Sequence, residues 1–155
     1  MDRIGLQTLH DEMRDDARIM QDAFAKASQR FARGDDVGYE SCAHQLCRLY
    51  NAFEQSGMRV AKAFENHIDD EQGWHVALLN RLSIGIAGVR PALIPHELKN
   101  ALYELRGFRH VFVHAYDLEL DPEKLALVLK YAEQAVVQFP ALIERFVGGV
   151  EQQNP

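Results

Sequence analysis

Helical periodicity is the feature that most constrains this chain. Apolar side chains recur every three or four residues almost from end to end, and almost nowhere do they alternate. Such spacing lines one face of an α-helix, whereas a half-buried strand needs a period of two. The one β-branched cluster of note, Val111-Phe112-Val113, is short. The expected fold class is all-α.

Local signals divide the periodicity into five helices. The first is expected over Arg3 to Phe31, with Ile4, Leu9, Met13, Ala17, Met20, Phe24 and Phe31 on one broad stripe. Gly34-Asp35-Asp36 ends it and supplies an N-cap for the second. That helix is expected from Val37 to about His67, with Leu46, Leu49, Tyr50, Phe53, Val60 and Phe64 inward and Gly57 tolerated at about 1 kcal/mol. Asn66 to Gly73 reads as an acidic connection. A third helix is expected over Trp74 to Ile86, buried through Leu78, Leu79, Leu82 and Ile86. The fourth has Pro95 in its first turn and runs from His96 to about Val113. Asp121-Pro122-Glu123 is a strong start for the fifth. Pro140 should kink or split that helix, and Gly148-Gly149 should end it and leave 148–155 frayed.

At 155 residues the chain has the length of one domain and can bury a core without disulfides or metal. The expected architecture is a single domain over 1–155, an up-and-down bundle of about five helices. No apolar run approaches the roughly 18–20 residues of a membrane span. The charged start, Met1 to Asp16, does not read as a secretory signal, so a cytoplasmic protein without membrane partners is expected. Cys42 and Cys47, five apart on one helix, lie about 140° apart around its axis and read as packed, inert thiols.

The Walker phosphate loop, the Gly-x-Gly-x-x-Gly and Gly-x-Ser-x-Gly patterns, a zincin His pair and Glu-x-x-His are all absent. Kinase, Rossmann, hydrolase and zinc-protease readings therefore have no support, and neither a metal nor another cofactor is expected. The net charge of −6 argues against broad nonspecific nucleic-acid binding. Its distribution is uneven. Residues 74–116 hold Arg81, Arg90, Lys99, Arg106 and Arg109 against only Glu97 and Glu104. A basic segment in an acidic chain suggests a local site for an anion such as phosphate.

Chemistry concentrates in Leu105 to Tyr116. On a helix, Leu98, Leu102, Leu105, Arg109 and Phe112 share one stripe. A guanidinium there needs an acidic partner if buried, or else the stripe opens into a cleft or interface. Lys99, Tyr103, Arg106, His110 and His114 occupy a neighbouring face. Arg109 and His114 are separated by a rise of about 7.5 Å, which long side chains can span to meet on one phosphate. Two arginines, two histidines and a tyrosine suit metal-free RNA cleavage. A base takes the 2′-hydroxyl proton, an acid protonates the leaving 5′-oxygen, and a cation steadies the phosphorane. Candidates for a second histidine are His110, or His114 from a symmetry mate. Taken singly, each residue also has a structural reading: an ion-paired arginine, a satisfied histidine, a packed tyrosine.

Arg109, four residues, His114, one residue, Tyr116 resembles the Arg-x4-His-x-Tyr signature of HEPN domains, most closely the HepT-type toxins of MNT–HEPN toxin–antitoxin systems. His110 stands where a polar residue, often asparagine, follows the arginine, and Asp121 to Leu125 is similar to the opening of that group's final helix. The resemblance is sharp from Pro95 to Lys130. It implies a helical bundle that forms a homodimer with the two motifs facing one cleft. It also implies a metal-independent endoribonuclease with Arg109 and His114 catalytic and His110 supporting; Arg106 and Lys99 join as RNA-binding cations of the same segment. Finally it implies an MNT-type nucleotidyltransferase antitoxin that adenylylates Tyr116, placing bulk and negative charge in the RNA cleft. The competing readings are a non-catalytic HEPN-like binding module or partner subunit of a nucleotidyltransferase, and a structural bundle in which Arg109 pairs with a core carboxylate.

Overall fold

The structure is a computed structural model that describes residues 1–65, 74–115 and 117–153. It is all-helical, with α1 (Arg3–Phe31), α2 (Asp36–Glu65), α3 (Trp74–Leu82), α4 (His96–His114) and α5 (Pro122–Gln153). The expected acidic connection 66–73 lies outside the described residues.

Helix ends follow local chemistry. The Asp2 carboxylate accepts the Gly5 amide at 2.7 Å and caps α1. Gly34, at φ 76°, makes the left-handed turn out of α1. Asp35 then accepts the Gly38 amide at 2.8 Å and opens α2. Asp121 accepts the Glu123 amide at 2.9 Å and opens α5 as expected. Pro95 sits at the N-cap of α4, in extended conformation, rather than in its first turn.

Three expectations are corrected. Helix α3 stops at Leu82, not Ile86. The Leu82 carbonyl accepts the amides of Leu93 and Ile94 at 2.9 and 3.2 Å, so tertiary partners replace the next helical turn. Beyond it, Ile86 is only half-buried and pairs with Arg90 in an isolated bridge. Helix α5 is neither split at Pro140 nor ended at Gly148-Gly149. Phe139, Leu142, Ile143, Phe146, Val147 and Val150 are buried along it, and this packing outweighs the local breakers. On α1, Ile4 is 78% exposed and Leu6 takes its place in the core.

Helices α1, α2, α4 and α5 form the bundle. Helix α1 packs mainly on α2 and then on α5, and α4 packs on α5 and α2. Helix α2 also meets α5 across the middle, while α3 leans on α2 and α4. One core cluster draws side chains from all five helices. Edge-on aromatic pairs, Phe53–Phe139 at 5.5 Å and Phe64–Phe146 at 5.8 Å, join α2 to α5. Gly57 lets α3 approach α2, since a Cβ there would lie 2.6 Å from Leu82 Cδ1.

Cys42 and Cys47 are free and buried. Burial pushes the Cys42 thiol up to about 12 and the Cys47 thiol to about 11, the latter pulled partly back by Arg109. Among the described residues, no helix is long and apolar enough to cross a membrane.

Candidate functional site

The buried stripe of α4, Leu98, Ala101, Leu102 and Leu105, leads into Arg109. At that level α2 presents Tyr50, Asn51 and Glu54. Arg109 Nη1 donates to Glu54 Oε1 at 2.9 Å and to Asn51 Oδ1 at 2.8 Å, and Nη2 donates to Glu54 Oε2 at 3.2 Å. This is the two-pronged carboxylate geometry that a guanidinium fork favours. The Arg109 Cζ also lies 4.7 Å from the centre of the Tyr50 ring. The side chains of Arg109 and Glu54 are 15% and 10% exposed. Of the two arrangements open to Arg109, the fold supplies the acidic partner.

A third group joins this pair from α3. His75 Nδ1 lies 2.7 Å from Glu54 Oε2 and 3.2 Å from Arg109 Nη2. A carboxylate oxygen only accepts and a guanidinium nitrogen only donates, so Nδ1 cannot bond to both. The shorter contact to the carboxylate puts the proton on Nδ1. Nε2 is then the ring nitrogen that Glu54 does not hold. The His75 side chain is 35% exposed and its ring lies against Trp74, with centroids 3.7 Å apart. Beneath Arg109, the Tyr50 phenol is pushed well up by burial and further by the Glu54 charge, with Arg109 and Arg106 opposing.

His114 is the last residue of α4 and is exposed. Its Nδ1 donates to the His110 carbonyl at 2.8 Å, leaving Nε2 as a free acceptor in the neutral ring. The His110 and His114 rings contact at 4.5 Å. Lys99 sits 5.7 Å over the Tyr103 ring, and Tyr103 donates to Asn80 at 2.9 Å, tying α4 to α3. Arg106 Nε is buried without a hydrogen-bond partner. Tyr116 lies outside the described residues.

The structure thus brings His110 and His114 together, and separately joins Arg109 to Tyr50, Asn51, Glu54 and His75. Among the described residues no hydrogen bond or ion pair links Arg109 to His114. The two are about 140° apart around α4. Glu54 draws one inward, and the His110 carbonyl draws the other back along the helix. The basic segment is also less free than its composition suggests. Glu65 of α2 pairs with Arg81 at 2.6 Å and with Arg90 at 2.5 Å. Arg90 is 1% exposed, and its remaining donors reach the carbonyls of Arg81, Ile84 and Pro91. With Arg109 on Glu54, only Lys99 and Arg106 of the five cations have no ion pair among the described residues.

Sequence reasoning missed Tyr50, Asn51, Glu54 and His75 as site residues. Glu54 had a usable signal, because it interrupts the apolar face of α2 between Phe53 and Gly57. His75 had none beyond its place at the start of α3. Among the described residues, no three His, Cys, Asp or Glu side chains are grouped to hold a metal ion. Residues 41–150 match the family model for a HepT-like protein. No curated protein and no solved structure matches the chain.

Proposed function

The chain belongs to the HepT-like family, and on that premise we propose that it is a metal-independent endoribonuclease, the toxin of a toxin–antitoxin pair. In this reading the RNA 2′-oxygen attacks the adjacent phosphorus, the bond to the 5′-oxygen breaks, and a 2′,3′-cyclic phosphate forms. His114 Nε2 takes the 2′-hydroxyl proton, and Arg109 steadies the charge on the phosphorane. Lys99, Arg106 and His110 contribute phosphate contacts. A homodimer brings two motifs to one cleft. An MNT-type nucleotidyltransferase adenylylates Tyr116 and so closes that cleft to RNA. The site of action is the cytoplasm.

The observation that carries this reading is the state of His114 inside the matched span. Its Nδ1–H is committed to the His110 carbonyl, so its outward Nε2 is a ready proton acceptor. The test is cleavage of a mixed RNA pool in EDTA, comparing the wild type with His114→Ala. Cyclic-phosphate ends from the wild type, and none from the variant, are expected. A folded, unmodified wild type that cuts no RNA at micromolar concentration sinks the proposal.

A second reading has one observation in its favour. Glu54 already neutralises Arg109, as expected of a structural bundle with Arg109 on a core carboxylate, and this also suits a non-catalytic binding module or a partner subunit of a nucleotidyltransferase. It predicts that His114→Ala leaves the cellular phenotype unchanged.

A further inference from the structure

We propose that His75 is the general acid of this site, its Nε2 delivering a proton to the departing 5′-oxygen. The inference rests on the ribonuclease reading above. That chemistry needs two proton-transfer groups, and His110 and His114 lean on each other away from Arg109. The histidine that shares the guanidinium's environment is His75, with Nδ1 only 3.2 Å from Arg109 Nη2. Its ring is also more open than the two charged groups beside it, 35% exposed against 10% for Glu54 and 15% for Arg109.

Charge balance points the same way. The charged groups in contact with His75 are Glu54 from α2 and Arg109 from α4. Glu54 and Arg109 together carry no net charge, so the imidazolium form of His75 gives these three groups the positive charge that draws a phosphate. Its added positive charge then matches one phosphodiester, and the Glu54 carboxylate holds the ring through Nδ1–H. The proton on Nε2 passes to the 5′-oxygen as the phosphorus–oxygen bond breaks. His114 Nε2, from either protomer, takes the proton of the attacking 2′-hydroxyl. The products are a 2′,3′-cyclic phosphate and a 5′-hydroxyl, with one proton lost and one gained by the protein.

His75→Asn tests the role, because the asparagine amide N–H stands near the position of Nδ1 and keeps a donor for Glu54 while removing the titrating nitrogen. His75→Ala serves as the second variant, and urea melts establish that both fold. The assay is RNA cleavage in EDTA from pH 5 to 9. The expected result is a loss of about 100-fold or more in both variants, with the alkaline limb of the wild-type pH profile flattened. An RNA whose scissile 5′-oxygen is replaced by sulfur, which leaves without a proton, should return both variants to near the wild-type rate. Wild-type cleavage by His75→Asn with an unchanged pH profile would overturn the inference, as would a loss in His75→Ala that asparagine alone restores on ordinary RNA. Cleavage that depends on His114 but not on His75 removes only this inference, whereas a folded wild type that never cuts removes the ribonuclease reading and this one together.

Discussion

Replacing Glu54 by alanine should be among the most damaging single changes in this protein. The substitution deletes two hydrogen bonds from Arg109, at 2.9 and 3.2 Å, and one to His75, at 2.7 Å. Each charge-assisted bond contributes about 1.5–3 kcal/mol, but all three share one carboxylate and do not add. Removing one partner of a buried ion pair costs about 3–5 kcal/mol, because the other charge stays buried. Arg109 keeps Asn51 at 2.8 Å and the Tyr50 face, which favours the lower end, about 3 kcal/mol. For a domain of this size that is a fall in Tm of about 6–12 °C. Urea denaturation of the wild type, Glu54→Ala, Arg109→Met and the double variant measures it at constant m. The double variant should lose about 2–3 kcal/mol less than the two singles added together. A single loss below about 1 kcal/mol, with an additive double variant, would show that Arg109 escapes to water and that no buried pair exists.

Three further outcomes are expected. Arg90→Leu should cost about 3 kcal/mol by stranding Glu65 against Arg81 alone, and Arg90→Lys should not restore it, since one ammonium cannot replace five fixed donors; thermal melts check both. Native Cys42 and Cys47 should resist iodoacetamide at pH 8, with both thiols pushed far above that pH by burial, and should react fully in urea; native labelling followed by mass spectrometry would refute this. Arg14 holds Glu144 below the usual carboxylate range, as Arg48 and Lys26 do for Asp22 and Arg33 for Asp35. A lowered folded pKa stabilises the fold above the unfolded value and is lost as pH falls through the folded one, so stability should decline below about pH 4, less steeply in Glu144→Gln.

Much of the fold was legible because its helix ends are marked locally. Gly34 with Asp35, and Asp121 with Pro122, place three boundaries within a residue or so of their observed positions. The errors arose where distant packing overrules a local breaker. Gly149 does not stop α5, because it sits under Pro91, whose Cγ would lie 2.8 Å from an added Cβ. Nor could the early end of α3 be read, since Leu93 and Ile94 reach back to Leu82 from beyond a turn. For the site, an arginine on an apolar stripe implied a carboxylate, but not which one. Glu54 and His75 precede Arg109 by 55 and 34 residues. Their meeting depends on how α2, α3 and α4 pack together, which no local pattern records.

The carboxylates of α2 have a kinetic consequence. Arg81, Arg90 and Arg109 are each already matched by Glu54 or Glu65, so a polyanion approaching this face meets few unpaired charges and releases few condensed counterions. Each phosphate neutralised contributes about −0.7 to the slope of log affinity against log salt for single strands. With Lys99, Arg106 and a protonated His75 as the available contacts, the slope should stay near −2. Capture would then be slow and would weaken only about fourfold for each doubling of salt, and a strand would be selected by how it fits once it arrives.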